Sequence, residues 1–277
     1  MIKSADGYET TVTDPSRILT IGGSITEIVY ALGMGDQVIS VDVSSTFPPE
    51  IHQLPKSPYI RSLAAEGILS LRPSLVITTD EAEPKTAIQQ MREAQTDVLM
   101  IKDEESFEGM AHKVHAIAKA LGVKEKGEAL VEKNRVQFDE ARQIQSRISR
   151  KPTVLFVLAL RGTGEFTVAG ANTGAKSIIE LAGGVNAFND FEGYKPVTSE
   201  SILQANPDFI IYMKHRSENI ESNIREHAVV KLTTAVKNDQ LIYMDGNYLL
   251  GFGPRLGSAV LELMEYFHPD QFTSLNK

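Results

Sequence analysis

The stretches EGILSLRPSLVI at residues 66–77 and ESILQANPDFII at residues 200–211 follow one pattern. Each has a glutamate, an Ile-Leu pair, a proline and then two aliphatic residues, and the copies are offset by 134 residues at both ends, from 200 − 66 and 211 − 77. Such a pattern is typical of a short helix that ends before a proline and continues into a buried strand. A helix-proline-strand unit repeated at one offset predicts two similar lobes.

Strand and helix signals alternate through both halves of the chain, which predicts an α/β fold of two similar lobes, each with a central, mostly parallel sheet flanked by helices. Between them, the charged, proline-free stretch from Val123 to about Ile148 predicts one long helix of ~39 Å. We therefore expect an N-terminal lobe over residues 1–122, a linking helix over 123–149 and a C-terminal lobe over 150–277. Because domain interfaces are preferred ligand sites, we expect a ligand cleft between the lobes.

Composition excludes several classes of protein and site. The 277 residues include 28 Lys and Arg against 36 Asp and Glu, a net charge of −8, whereas a nucleic-acid binder needs a basic face. The absence of cysteine excludes disulfides, iron–sulfur clusters, thiolate zinc sites and cysteine nucleophiles. The longest uncharged apolar run, 154–160, is far shorter than the ~20 residues of a membrane-spanning helix.

The turn after the first predicted strand, Gly22-Gly23-Ser24, starts a helix. We expect Ser24 to be the N-cap of this helix and Glu27 to complete a capping box. The turn lacks the full dinucleotide-binding fingerprint and the P-loop lysine. No Gly-x-Ser-x-Gly nucleophile elbow occurs in the sequence. These observations favour a protein that is not an enzyme.

Four segments carry a resemblance to a known family. They are YIRSLAAEGILSLRP at 59–73, RILTIGGSITE at 17–27, YKPVTSE at 194–200 and GFGPR at 251–255. In their order along the chain they resemble the periplasmic haem-binding proteins of bacterial haem ABC importers. The wider class III of substrate-binding proteins, which also carries cobalamin and siderophores, shares two lobes, a linking helix and both Glu-Pro units. The Tyr-x-Arg-x-Leu-x-Ala-Glu-Gly segment is the part that looks specific to the haem-binding members.

The resemblance implies that Tyr59 is the axial ligand of a ferric haem. Ferric iron is a hard ion and a phenolate is a hard anionic donor, and tyrosine is a known haem ligand. A free phenol has a pKa near 10, so it needs help to ionise at neutral pH. Iron supplies most of that help, and a nearby guanidinium can add to it. Arg255 is similar to the arginine that hydrogen-bonds the ligating tyrosine in this family. Arg61 and Lys56 lie close enough in sequence to reach the phenolate or a haem propionate.

The loop after the first strand of the second lobe, 160–166, bears on the number of haems. Some family members have a histidine in this loop and accept a second haem, but the loop here contains none. We therefore expect one haem. Within the loop, Phe166 is a candidate packing face for a flat ligand, and Arg161 is a candidate haem contact.

The two repeated glutamates, Glu66 and Glu200, have a different expected role. In this class, matching glutamates on the two lobes dock onto arginines of the permease dimer. A two-fold permease presents two equivalent basic pockets, so a pseudo-symmetric carrier needs one acid on each lobe. The implied partners are the permease dimer with its ATPase subunits and, upstream, an outer-membrane haem receptor system, whereas nucleic acid is not expected. We expect the carrier itself to be a monomer.

Two alternatives stay open at this point. The same fold could carry a corrinoid or a ferric siderophore, and Tyr59-Ile60-Arg61 is the feature that discriminates against them. A remote alternative is a two-lobed enzyme with a cleft site. The N-terminal residues have no apolar signal core. Since the family is periplasmic, we expect the leader peptide to have been removed and the protein to be periplasmic.

Overall fold

In a computed structural model of the chain, residues 1–161, 165–213 and 220–273 are described, without the side chains of Arg161 and Thr273. The chain forms two compact units. The first unit comprises residues 1–134 and 251–256, and the second comprises residues 135–250 and 257–277. Each unit is built on a sheet of its own.

The first unit contains a short antiparallel strand pair and a parallel sheet. Its strands are β1 (Ile2–Lys3), β2 (Glu9–Thr10), β3 (Ile18–Thr20), β4 (Val38–Asp42), β5 (Lys56–Ser57), β6 (Leu75–Thr79) and β7 (Asp97–Ile101). Its helices are α1 (Gly23–Ala31), α2 (Ala65–Ser70), α3 (Lys85–Glu93) and α4 (Phe107–Ala120), with 3-10 turns at Gly35–Gln37 and Pro49–Gln53. In the described part of the unit, the parallel sheet has the order β5-β4-β3-β6-β7.

Burial explains why these segments form a parallel sheet. β3 and β6 are buried at every position, and Leu19 and Val76 are completely inaccessible. Strands covered by helices on both faces read as continuous aliphatic runs rather than as alternating ones. One face of this sheet packs on α2 and α3 through Ile68, Ile88 and Met91.

A long helix, α5 (Lys124–Gln145), follows α4 and contains the division between the two units, at residues 134 and 135. The sequence predicted that this helix would reach about Ile148, so the observed helix ends slightly earlier. In the residues that the structure describes, no helix combines the length and the apolar character needed to cross a membrane.

The second unit contains a mixed sheet. Its strands are β8 (Thr153–Arg161), β9 (Glu165–Ala169), β10 (Val185–Asn186), β11 (Tyr194–Val197), β12 (Phe209–Met213) and β13 (Leu241–Met244). Its helices are α6 (Gly174–Leu181), α7 (Ser199–Ala205), α8 (Ile220–Glu226), α9 (Thr234–Lys237), α10 (Gly246–Leu250), α11 (Leu256–Phe267) and α12 (Pro269–Thr273), with a 3-10 turn at Val230–Leu232. Among the described strands the order is β11-β9-β8-β12-β13, with β10 also on β8, and only the pairings that involve β9 are antiparallel.

The sequence repeat corresponds to a structural repeat. β6 spans residues 75–79 and β12 spans residues 209–213, so the offset of 134 holds at both ends of the strand. Each strand follows a short helix, and Arg72 (φ 52°) and Asn206 (φ 41°) before the two prolines share a left-handed backbone. The parallel order β3-β6-β7 in the first unit matches β8-β12-β13 in the second. The predicted α/β class is confirmed.

Candidate functional site

The carboxyl ends of the parallel strands in the first unit bring several loops to one edge of the sheet. Gly22 follows β3, Val43 follows β4, and Tyr59 follows β5. In parallel α/β sheets, ligands bind outside this edge. A ligand site of the first unit is therefore expected at this edge.

Tyr59 lies on a loop that is anchored by the residues directly after it. Its side chain is 45% exposed, whereas the neighbouring Ile60 and Leu63 are buried in the core. The backbone of Glu83 donates to the Ile60 carbonyl and accepts from the Leu63 amide, each at 2.8 Å, and the Ser62 amide donates to the Tyr59 carbonyl at 2.8 Å. The loop thus presents an exposed phenol from a fixed backbone.

Arg61 lies beside Tyr59 and is half exposed. Its Nη2 atom forms an ion pair with Oε1 of Glu81 at 2.9 Å. The Glu81 carboxylate is the main reason why the pKa of Arg61 lies above its ordinary value, and the Tyr59 hydroxyl adds a smaller contribution. Arg61 therefore brings a permanent positive charge to the phenol.

Lys56 is the first residue of the two-residue strand β5 and pairs with Val41, near the carboxyl end of β4. Its Nζ atom donates to the Ser45 carbonyl at 3.4 Å. Burial lowers the pKa of Lys56, and the nearby Asp42 carboxylate opposes part of this effect. The ammonium group is thus held close to the loop that follows β4.

Arg255 forms a bidentate ion pair with Glu27 in this region. Its Nε and Nη2 atoms donate to Oε2 and Oε1 of Glu27 at 2.8 and 2.7 Å, and its guanidinium lies 4.0 Å above the centre of the Phe47 ring. The predicted capping box is wrong, because α1 begins after Gly22, without a side-chain cap, and Glu27 is an ion-pair partner instead. Ser24 lies inside the helix.

The first turn of α1 connects the Tyr59 loop with the segment that carries Arg255. Gly22 has φ 105°, which favours glycine, and a Cβ atom there would lie 3.8 Å from Cδ1 of Ile60. A Cβ atom on Gly253 would lie 3.4 Å from Cβ of Ser24. Both segments therefore pack against the same turn, Tyr59 through its neighbour Ile60.

The Asp42 side chain joins two loops of this edge by hydrogen bonds. Its completely buried carboxylate accepts hydrogen bonds from the amides of Gly22 (3.0 Å) and Ser44 (3.1 Å), from the Ser45 hydroxyl (2.6 Å) and from the Ser44 hydroxyl. The Ser45 hydroxyl also bonds to Thr26 of α1 at 2.8 Å. One side chain thus fixes both the β3–α1 turn and the loop after β4.

Large apolar side chains are exposed on the same loops. Val43 is 54% exposed and Phe47 is 38% exposed, and both precede Tyr59 by fewer than twenty residues. Because they lie at the edge where parallel sheets bind ligands, these two side chains are candidates to contact a ligand. Sequence reasoning missed Val43, Phe47, Glu27 and Asp42. The only available signal was the end of a strand, which does not say which side chains remain exposed.

Of the haem contacts predicted on the second unit, the structure describes the side chain of Phe166. Phe166 is completely buried in β9 and meets the His227 ring edge-on at 5.3 Å. The prediction that Phe166 offers a packing face to a ligand is therefore wrong, because its ring belongs to the core of this unit. The Arg161 side chain and residues 162–164 of the Gly-rich loop lie outside the described part of the chain.

Glu66 and Glu200 are both exposed in the first turns of their helices, α2 and α7. The two helix starts differ in capping. Thr198 caps α7 by accepting from the Ser201 amide at 3.2 Å, whereas α2 has no side-chain cap. Hydrogen bonds from the backbone amide of Glu200 and from the hydroxyls of Ser199 and Thr198 hold the pKa of Glu200 below its usual range. Glu200 is therefore a carboxylate at neutral pH.

Comparison with known proteins gives consistent matches over almost the whole chain. A sequence profile described as periplasmic binding protein matches residues 18–248. The structure of the apo periplasmic heme-binding protein RhuT from Roseiflexus sp. RS-1 is 37% identical, with a TM-score of 0.85 over 92% of this chain and 99% of that one. The periplasmic heme-binding protein BhuT in complex with two hemes is 34% identical, with the same TM-score over 92% and 98% of the two chains.

Two curated relatives match at lower identity. The uncharacterized ABC transporter substrate-binding lipoprotein YvrC of Bacillus subtilis is 27% identical over 98% of this chain and 86% of its own length. The vitamin B12-binding protein of Vibrio cholerae is 24% identical over 90% of this chain and 88% of its own length. Both relatives are aligned over most of their length.

Replacing Asp42 with alanine should destabilise the edge on which Tyr59 lies. We expect the free energy of unfolding to fall by about 3 kcal/mol, since each buried donor left without an acceptor costs about 1–3 kcal/mol. Chemical denaturation followed by circular dichroism measures this change. The control is Asp36→Ala, an exposed aspartate whose loss should cost no more than about 0.5 kcal/mol. Equal stability of the two variants would contradict the role given to Asp42.

Proposed function

The chain belongs to the periplasmic binding protein family, and from this premise we propose that it captures ferric haem through Tyr59 and delivers it to an ABC importer. One observation carries the proposal. An exposed phenol lies beside an arginine on an anchored loop at the carboxyl edge of the sheet, in a chain 37% identical to a periplasmic heme-binding protein. We propose a carrier rather than an enzyme, and we propose the periplasm as its location.

The chemistry of the site suits ferric iron. A phenolate is a hard anionic donor, and tyrosine is among the protein ligands of haem iron. Coordination to the metal supplies most of the help that a phenol needs to ionise at neutral pH, and a nearby positive charge adds to it. Arg61 supplies such a charge, and its own ion pair with Glu81 keeps the guanidinium close to Tyr59. Haem itself supplies the iron as cargo.

The surroundings of Tyr59 suit the rest of the haem molecule. Val43 and Phe47 offer apolar surface to the macrocycle on the loops next to Tyr59. Lys56 and Arg255 are the candidate partners of the phenolate and the propionates, since ammonium and guanidinium groups form strong charge-assisted hydrogen bonds with carboxylates. Arg161 is a further candidate contact on the basis of the sequence alone. Phe166 is not a candidate contact, because it is buried.

Glu66 and Glu200 are proposed to dock onto the permease dimer. Both carboxylates are exposed at equivalent positions of the two units, 134 residues apart, as a two-fold partner requires. Exposed complementary charges accelerate and orient an encounter more than they tighten it. The permease with its ATPase subunits is the proposed partner, and an outer-membrane receptor system would supply the haem upstream.

A corrinoid is the second candidate cargo. The vitamin B12-binding protein of Vibrio cholerae supports this candidate, because it is aligned over 90% of this chain. Tyr59 with Arg61 favours haem, since a corrinoid already fills the lower axial position of its own cobalt in many forms, whereas ferric haem accepts a phenolate. A ferric siderophore would likewise need no phenolate ligand from the protein.

Tyr59→Phe removes only the phenol hydroxyl and should abolish the ligand bond. We expect the affinity for hemin to fall by more than the ~10–100-fold that loss of an outer-shell partner typically costs. Titration with hemin, followed by absorption and repeated with cyanocobalamin and ferrichrome as competitors, measures this change together with the stoichiometry, which we expect to be one haem.

The control for this titration is Tyr266→Phe, because Tyr266 is exposed to a similar degree, at 48%. This variant should bind hemin like the wild type. Wild-type spectrum and affinity in Tyr59→Phe would contradict the ligand assignment. If cyanocobalamin displaced hemin when present at a lower concentration than hemin, the corrinoid would be favoured as the cargo.

Glu66→Ala combined with Glu200→Ala should separate binding from delivery. The double variant is expected to bind hemin normally and to lose most haem uptake through the importer, because both docking charges are gone. The control is Glu93→Ala with Glu226→Ala, which removes two other exposed carboxylates, one from each unit, and changes the net charge by the same amount. Equal uptake by the two double variants would refute the docking role.

A further inference from the structure

We propose that Glu27 is a positioning residue for the ligand site: its carboxylate fixes the Arg255 guanidinium, and with it the segment 251–256, against the turn that supports Tyr59. The inference rests on the proposed function, since it gives Arg255 a role beside the haem-binding phenol. It adds Glu27, a residue on a helix that is far from Arg255 in sequence. Its acidic side chain is not expected to contact the anionic propionates of haem.

Burial shows that the Glu27 carboxylate is committed to this contact. The Glu27 side chain is 3% exposed, whereas the Arg255 side chain is 30% exposed. Two parallel hydrogen bonds of 2.8 and 2.7 Å join them, the geometry in which a planar guanidinium is held most rigidly by a carboxylate. A buried carboxylate is costly unless it is paired. Glu27 is thus the buried member of the ion pair, and the Arg255 guanidinium is its partly exposed member.

The remaining faces of Arg255 are also constrained. The Phe47 ring stacks at 4.0 Å from the guanidinium centre, on the loop that Asp42 anchors. Stacking and bidentate pairing together define both the plane and the direction of the guanidinium. Lysine could not reproduce this arrangement, because an ammonium group has neither a plane nor two parallel donors.

The segment that carries Arg255 is held to the first unit at two further points. The buried Lys113 ammonium donates to the Gly251 carbonyl at 3.3 Å and pairs with Asp103 at 2.5 Å. The buried amide of Asn134 donates to the Pro254 carbonyl at 2.9 Å. Residues 251–256 therefore belong to the first unit, although the chain before and after them belongs to the second.

These contacts keep Arg255 in the unit that contains Tyr59. Gly22, which precedes α1, lies close to Ile60, and Ser24 in the first turn of α1 lies close to Gly253. Glu27 follows about one turn later on the same helix. A carrier that binds and releases its cargo needs the charge that supports the ligand to stay with the ligand. Glu27 provides this by holding Arg255 within the same rigid group of loops.

The test uses Glu27→Gln, Arg255→Met and the combination of both, in the full chain. Hemin affinity and the absorption spectrum of the ferric complex report on positioning, and thermal unfolding without haem reports on structure alone. We expect Glu27→Gln and Arg255→Met each to weaken hemin binding by ~10–100-fold and to alter the spectrum, as loss of an outer-shell partner does. The double variant should bind no better than Arg255→Met.

Stability should follow a different order from affinity. Arg255→Met should lower the melting temperature most, because it leaves the Glu27 carboxylate buried without its guanidinium, and the double variant should recover much of the loss, since both charges are then removed. Recovery of stability without recovery of hemin binding is the signature of positioning. A purely structural pair would show both recoveries together.

Several results would overturn the proposal. They are wild-type or tighter hemin binding by Glu27→Gln, a double variant that regains affinity, and normal binding by Arg255→Met. Tighter binding by Glu27→Gln would mean that Glu27 only weakens the charge of Arg255. If Tyr59→Phe still loses hemin while Arg255→Met does not, the positioning role fails and the haem-binding function stands. If Tyr59→Phe binds normally, the function itself fails.

Discussion

Parallel pairing of β3 with β4 and β6, and of β4 with β5, is the constraint on which the candidate site depends. Parallel strands all end at the same edge, so the loops after β3, β4 and β5 are brought together although the chain visits them in turn. Asp42 then converts this proximity into a fixed arrangement, because its buried carboxylate bonds to the β3–α1 turn and to the loop after β4. Tyr59 follows the neighbouring strand, β5, and is exposed on this fixed edge.

Charge at this edge is arranged in pairs. Arg61 is balanced by Glu81, and Arg255 by Glu27, so both guanidinium groups are held in place while the local net charge stays small. A phenolate added to this environment meets oriented donors without a large excess of positive charge. Such an arrangement is compatible with the proposed carrier role, in which haem is held through one axial bond and is later released.

Local patterns of the sequence were sufficient to predict the fold class. The repeat at an offset of 134 predicted two helix-proline-strand units, and α2–β6 and α7–β12 have this form. Contacts between segments that are distant in the sequence could not be predicted from such local patterns. Glu27 and Arg255 are 228 residues apart, so the glutamate was interpreted through its near neighbour Ser24 as part of a capping box. Phe166 was misassigned for a similar reason, because a glycine-rich loop does not reveal which side chains of the following strand, β9, point into the core.

The central claim is that the phenolate of Tyr59 bonds to ferric iron, and resonance Raman spectroscopy of the wild-type hemin complex tests it most directly. Excitation within the phenolate-to-iron charge-transfer absorption should enhance tyrosinate ring vibrations. These bands should be absent from the Tyr59→Phe complex and present in Tyr266→Phe. A wild-type complex that binds hemin without tyrosinate bands would contradict the account, since iron would then be held by another ligand or by none.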